Sequence, residues 1–231
     1  MKQITYFLIA FSFLLAPLFQ SCDDDNVDSV YQALSTVRVI NDTEYFFISD
    51  SDSLYPKETM APSYEAKDGQ RAIVQFSFMD PTTSIYDADI KVLMIEDILT
   101  KPVIELTEGN KDEIGNDSVV PYYISLSKDG FLNIGSYIPI VQDTVLLSLV
   151  SNTLAESTAD EYIHLEFRVN DHDAPKGSKL SKSLVSYNLG IYDPSQTGKS
   201  IKLKIMTDEG EKEYTIDKDK NNSVNQLYSD Q

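Results

Sequence analysis

Ile163, Leu165, Phe167 and Val169 alternate with His164, Glu166 and Arg168. A period of two puts the apolar side chains on one face of a strand and the polar ones on the other. Such a strand must cover its apolar face with another layer. The pattern recurs at Ala72, Val74, Phe76, Phe78, at Val185, Tyr187, Leu189, Ile191, and at Ile201, Leu203, Ile205 with Lys202 and Lys204 between. Asp208-Glu209-Gly210 then turns the chain back into Tyr214 and Ile216. Lys128-Asp129-Gly130 stands between Tyr122, Ile124, Leu126 and Phe131, Asn133, Gly135, and Asp-Gly between alternating runs is a strong hairpin signal. Val145 to Val150 reads as a buried strand. These runs predict an all-β chain whose second half is an antiparallel β-sandwich. No long helix and no internal repeat is visible.

The first half predicts a smaller β domain. Val37, Val39 and Phe46, Ile48 read as two strands around an Asn41-Asp42 turn. A polar loop follows from Asp50 through Pro56 and Pro62 to Lys67-Asp68-Gly69. The strand at Ala72–Phe78 ends at Asp80-Pro81. Asp89 to Leu99 is apolar enough for a buried strand or a short helix, which periodicity alone does not separate. Val103 to Leu106 closes the group. Thr107 to Ser118 holds two glycines, several charges and one large apolar residue, Ile114, the composition of a linker. The expected organisation is a leader at 1–21, a tether at 22–32, a β domain at 33–106, a linker at 107–118, a sandwich at 119–217 and a polar tail at 218–231.

The N-terminus gives an address. Met1-Lys2-Gln3 is short and basic, and Ile4 to Leu18 is nearly unbroken apolar. That run is too short to cross a ~30 Å bilayer core comfortably but suits the h-region of a signal peptide. Leu18-Phe19-Gln20-Ser21-Cys22 then resembles a bacterial lipobox, in which the cysteine takes a diacylglyceryl group, the chain is cut before it, and the new amine is acylated with a fatty acid such as palmitate. Phe19 stands where leucine is usual. Cys22 is the chain's single cysteine, so the lipidation site is assigned to Cys22 and no internal disulfide can form. Asp23-Asp24-Asp25-Asn26 cannot pack and reads as a solvated tether; Asp23 to Gln32 would extend about 35 Å. Acyl chains hold a membrane by ~0.8 kcal/mol per buried CH₂. The predicted location is the cell envelope, as an outer-membrane lipoprotein, with exposure at the cell surface suggested by the acidic run.

Charge narrows the partners. Nineteen Lys and Arg face 37 Asp and Glu, a formal net charge of −18, and no basic cluster relieves it locally. Nucleic acid is excluded as a partner, because its binding rests on neutralising phosphates. A cationic protein partner would be steered towards such a body.

Catalytic patterns are sparse. Only two histidines occur, His164 and His172, and there is no G-x-S-x-G to pair with either. No phosphate-cradling G-x-x-x-x-G-K-[ST] and no G-x-G-x-x-G occurs. Asn170-Asp171-His172-Asp173 could offer oxygen and imidazole ligands to a divalent ion, but it lies where a strand ends and Asp and Asn are ordinary turn residues. Asp217-Lys218-Asp219-Lys220-Asn221 starts like an EF-hand loop and fails at Asn222 and Tyr228. Tyr122, Tyr123, Tyr137, Tyr162 and Tyr187 fall in strands, where aromatics pack. Neither enzyme activity nor a cofactor or metal is expected; a glycosidase would need two carboxylates well placed in space, and Asp and Glu are abundant here.

Several stretches taken in order carry a resemblance. They are the lipobox at Cys22 with Asp23-Asp24-Asp25, the run Lys67-Asp68-Gly69-Gln70-Arg71-Ala72-Ile73-Val74-Gln75-Phe76, and the run from Ile98 to Thr107. Ile114 to Asp117, Leu149 to Leu154 and Tyr162 to Arg168 follow. Together they resemble the NigD-like lipoproteins of the Bacteroidota, from the leader to about residue 216. The resemblance implies an N-terminal OB-like barrel and a C-terminal β-sandwich. The family's association with a bacteriocin operon points towards self-immunity, with no catalytic residues to carry over. The expected function is a lipid-anchored, non-enzymatic protein-binding module; a surface glycan-binding lipoprotein is the alternative.

Overall fold

Asn41 makes the first turn. Its side-chain oxygen accepts the backbone N–H groups of Thr43 (3.0 Å) and Glu44 (3.1 Å), an Asx turn that reverses the chain. A computed structural model describes residues 29–49, 52–154, 160–217 and 224–225. In it this turn joins β1 (Tyr31–Asn41) to β2 (Glu44–Ile48). With β3 (Ser53–Thr59), β4 (Arg71–Met79) and β5 (Ala88–Asp97) they form a closed barrel in the order β1-β2-β3-β5-β4, β4 pairing back onto β1. Closure removes every free edge. Val37, Phe47, Leu54, Ala72, Val74, Phe76, Ile90 and Val92 fill the interior.

Three sequence expectations change here. The segment through Pro56 is a strand, not a polar loop: β3 pairs with β2 only at Leu54 and Ser53, and its parallel register with β5 shifts between Pro56 and Glu58. Proline is tolerated at such an irregularity. In β2 it is Phe47 that faces inward, whereas Phe46 lies outside under Tyr86, ring centres 4.8 Å apart. Both faces of Glu44–Ile48 are apolar, so alternation could not choose between them. The tether is also shorter than residues 22–32, because Tyr31 and Gln32 already pair with Phe76 and Gln75.

The domain boundary differs too. The chain leaves the barrel at Asp97, the Ile98 N–H bonds the Arg71 carbonyl at 2.9 Å, and β6 (Leu99–Pro102) and β7 (Ile104–Leu106) enter the second domain at once. The segment 107–118 is therefore no linker. It folds over the outside of the sandwich through α1 (Lys111–Ile114), and Ile114 is buried with Leu106 and Val150. Its polarity imitates a linker, but its one large apolar residue anchors it.

The remaining strands are β8 (Val120–Leu126), β9 (Phe131–Pro139), β10 (Leu146–Asn152), β11 (Tyr162–Asn170), β12 (Leu180–Asn188), β13 (Ser200–Thr207), β14 (Gly210–Ile216) and β15 (Val224–Asn225). They form two sheets, β14-β13-β11-β10-β7 and β15-β8-β9-β12-β6. Leu132, Ile134, Leu149, Leu165, Phe167, Val185, Tyr187, Leu203 and Ile205 lie in the shared core. Alternation along β11 is complete, with every second residue buried. The hairpin at Lys128-Asp129-Gly130 forms as expected, with Gly130 at φ +83°.

The sandwich is mixed in detail, not antiparallel throughout. β11 and β13, β10 and β7, and β12 and β6 run parallel. A half-buried strand shows the same alternation in either direction, so sequence could not tell them apart. Ile191 breaks its predicted strand pattern and is 78% exposed on a short 3₁₀ turn. Val224–Asn225, inside the predicted polar tail, pair with Ile124 and Tyr123 of β8.

Candidate binding surfaces

The barrel sits against the outer face of the β8–β9–β12 sheet through one buried cation. Arg71, 1% exposed, donates to Thr36 Oγ1 within the barrel (2.7 Å) and to Asn133 Oδ1 on β9 (3.4 Å). Its guanidinium also lies 5.3 Å from the centre of the Phe131 ring and 4.0 Å from the Asp129 carboxylate. Asn133 is in turn held by Ser186, whose hydroxyl donates to Oδ1 at 2.6 Å, and it donates to Ser125 Oγ at 3.1 Å. Arg38 reaches Asp129 from β1 at 3.6 Å. A guanidinium distributes several donors in a fixed plane, which suits a junction of this kind. Sequence reasoning passed over Arg71. Its signal was a charged residue opening a strand that otherwise alternates apolar residues.

His164 stands on the outer face of β11, both Asp160 carboxylate oxygens 2.9 Å from its Nε2. That hydrogen bond, with the Tyr162 N–H, holds the Asp160 carboxyl below the usual carboxylate range. His164 borders a depression of about 590 Å³ lined also by Tyr162, Glu166, Tyr192, Lys199 and Lys204. Among the described residues the hydrogen-bond partner of the His164 ring is Asp160. His172 lies beyond the far end of β11, where Asn170 is already about 20 Å from His164 along the strand at ~3.3 Å per residue. The two histidines cannot share one ion.

Asn170-Asp171-His172-Asp173 does turn work. Asn170 Oδ1 accepts the His172 N–H at 2.9 Å and Asp171 Oδ1 accepts the Ala174 N–H at 3.1 Å. His172 and Asp173 adopt left-handed backbone, φ +55° and +57°. Among the described residues no three His, Cys, Asp or Glu side chains gather as a metal cluster.

The tyrosines divide. Tyr187 is in the core beside Phe167, ring centres 6.2 Å apart, and burial raises its phenol well above the ordinary value. Tyr122 and Tyr137 pack together on the outer face of the β8–β9 sheet, and Lys182 Nζ lies 5.4 and 5.9 Å from their ring centres. On the barrel, Tyr86 stacks parallel to Tyr55 at 5.2 Å and against Phe46. Cys22 and Asp23 to Asn26 lie outside the described residues.

At the end of β9 away from Arg71, two adjoining depressions open between loops. One, about 300 Å³, is lined by Ile140, Val141, Asp143 and the loop after β11; the other, about 440 Å³, by Val119, Val120, Tyr137, Leu180, Asp208 and the same loop. They share Asp171, Ala174, Pro175 and Ser178.

Two family models match the chain in the order of its domains: the NigD-like N-terminal OB domain over residues 34–98 and the NigD-like C-terminal β-sandwich domain over residues 102–218. The chain belongs to the NigD-like family. The match boundaries bracket the barrel exit at Ile98. Solved structures of similar fold include a protein of unknown function from Bacteroides vulgatus, 26% identical with a TM-score of 0.74, covering 81% of this NigD-like chain and 90% of its own. Another is a Parabacteroides distasonis protein described as toxin-related, 26% identical, TM-score 0.69, covering 85% and 94%. A NigD-like immunity protein from Bacteroides caccae, 17% identical, TM-score 0.60, covers 82% and 98% and shares the fold. No curated protein matches the NigD-like chain significantly. No helix among the described residues is long and apolar enough to cross a membrane.

Proposed function

We propose that the mature protein is an outer-membrane lipoprotein held by acyl chains on Cys22, and that its folded body is a non-enzymatic module binding a cationic polypeptide, as a bacteriocin self-immunity protein would. The observation that carries the reading is the spacing of leader, cysteine and barrel. Cys22 directly follows the apolar leader, and only Asp23 to Val30 separate it from β1. Fully extended, that segment spans about 28 Å, so the barrel is kept close to the bilayer. The formal charge of −18 supports a cationic partner by steering. The immunity role is supported by family membership and by the immunity protein of the same fold.

Metabolic labelling with palmitate tests the anchor: the wild type takes up label and sediments with membranes, and Cys22→Ala does neither. Label on the alanine variant would end the lipid assignment. For immunity, expression in a bacteriocin-sensitive strain is expected to raise survival; unchanged killing would count against it.

A second reading, glycan binding, draws on Tyr55 and Tyr86, which stack outside the barrel, with Phe46 tilted against Tyr86. A glycan array probed with wild type and Tyr86→Ala tests it, loss of every hit in the variant being the supporting result.

A further inference from the structure

We infer that the groove formed by the two adjoining depressions at the far end of the sandwich docks a cationic segment of the partner that also carries apolar side chains. This rests on the reading of the protein as a binder of a cationic polypeptide and names where, and through what chemistry, binding takes place.

The groove lining is mixed, with apolar side chains beside polar ones. Val119, Val120, Pro139, Val141, Ala174 and Pro175 line it. Two large aliphatic side chains stand open to water at its edge: Ile140 is 60% and Leu180 55% exposed. They are held as neighbours by the backbone. Leu180 opposes Pro139 across β9 and β12, and the Ile140 N–H bonds the Lys179 carbonyl at 2.7 Å. Exposed aliphatic residues clustered around a concavity mark an interaction surface, whereas singly scattered ones do not. Three carboxylates, Asp143, Asp171 and Asp208, share the lining with one ammonium, Lys176. Apolar side chains beside a surplus of carboxylates match a segment that presents aliphatic side chains together with Lys or Arg.

The groove lies away from the domain junction. The tether enters the barrel at Tyr31, five rungs from Thr36 and Arg71, where the barrel meets the sandwich. β9 then runs from Phe131, beside Arg71, to Pro139 at the groove, about 26 Å further at ~3.3 Å per residue. The groove is thus separated from the domain junction by the length of that strand.

The test uses the full chain and two synthetic peptides, one of alternating lysine and leucine and one with glutamate for lysine, read by fluorescence anisotropy. The lysine peptide is expected to bind and the glutamate peptide not. Ile140→Ser with Leu180→Ser should weaken binding at least about tenfold. Ile191→Ser, more exposed still but at the other end of the sandwich, should leave it unchanged. Since both groove residues are solvent-exposed, circular dichroism should show an intact fold in the double variant. Undiminished binding by that variant, or equal loss in Ile191→Ser, overturns the groove assignment while leaving the broader reading standing. Equal affinity for the two peptides overturns the charge complementarity. No binding of the lysine peptide by the wild type, together with unchanged bacteriocin killing, removes both.

Discussion

Arg71 of the barrel and Asn133 of the sandwich meet across the domain junction, guanidinium Nη2 to amide Oδ1, at 3.4 Å. The contact is buried on both sides, Arg71 and Asn133 each being 1% exposed. A buried charge is stabilising only while its partners remain, and removing one partner typically costs about 3–5 kcal/mol. Arg71→Met would leave Thr36 Oγ1 without its donor and Asp129 with one cation fewer. The expected result is a urea midpoint lowered by a corresponding amount, with barrel and sandwich unfolding in separate steps. Arg71→Lys should recover only part, because an ammonium cannot reach Thr36 and Asn133 in one plane. A single transition at the wild-type midpoint in Arg71→Met would show the junction to be energetically idle.

Gly115 and Gly177 both adopt left-handed backbone, φ +68° and +82°. They differ in what a side chain would meet. A Cβ on Gly115 would stand 2.9 Å from the Val169 carbonyl oxygen and 2.8 Å from Asn170 Cβ; one on Gly177 meets open space. Gly177→Ala should therefore cost only the left-handed penalty of about 1 kcal/mol. Gly115→Ala adds a clash with backbone that β11 holds in place, and about 2–3 kcal/mol is expected in all. Thermal denaturation of the two variants side by side separates conformational strain from steric contact.

Asp89 is buried in the barrel wall, its Oδ2 accepting the Thr83 N–H at 2.8 Å and lying 3.2 Å from Lys57 Nζ. Hydrogen bonds from the Ser84 hydroxyl and the Thr83 N–H hold its carboxyl far below the usual carboxylate range. A depressed folded-state pKa contributes stability that is fully present above the unfolded value of about 3.9 and is lost as pH falls through the folded one. Asp89→Asn should therefore be less stable than wild type near neutrality. The two urea midpoints should converge as pH drops from ~5 towards ~2, because only the wild type titrates this group. Parallel curves over that range would show that Asp89 contributes nothing through its charge.

Much of this fold was legible because period two is unambiguous where one face is wet. β11 and β13 were readable for that reason, and the Asp129-Gly130 turn followed from the left-handed backbone it needs. Legibility ended where both faces are covered, as at Phe46 and Phe47, where each ring packs on something. It ended also at Pro56, since sequence does not announce that β3 has an irregular register. Strand direction left no mark on composition, so the parallel pair of β11 and β13 stayed hidden. The groove was illegible for a different reason. Ile140, Ala174 and Asp208 belong to separate loops and Leu180 opens β12, and only the sandwich topology brings them to one end.

Ile114 decides whether 107–118 is a linker or part of the sandwich. Its side chain is 5% exposed and packs with Leu106 and Val150 on the outer face of the β10 sheet. Asn110 secures the start of the segment by accepting the Thr107 N–H at 2.8 Å and donating to the Glu105 carbonyl at 2.9 Å. Asp117 secures the end, its N–H bonding the Val169 carbonyl at 2.8 Å. A segment tied at both ends with one buried anchor opens to a protease only through local unfolding. Limited proteolysis of the wild type should therefore not release separate fragments by cleavage near Lys111. Ile114→Ala removes most of the anchor, and deletions of this kind cost about 2–5 kcal/mol. If that loss falls mainly on the local segment, the variant should be cut after Lys111 by trypsin while β6 and β7 keep both cleavage products associated under native conditions. Rapid cleavage of the wild type at Lys111 would restore the linker.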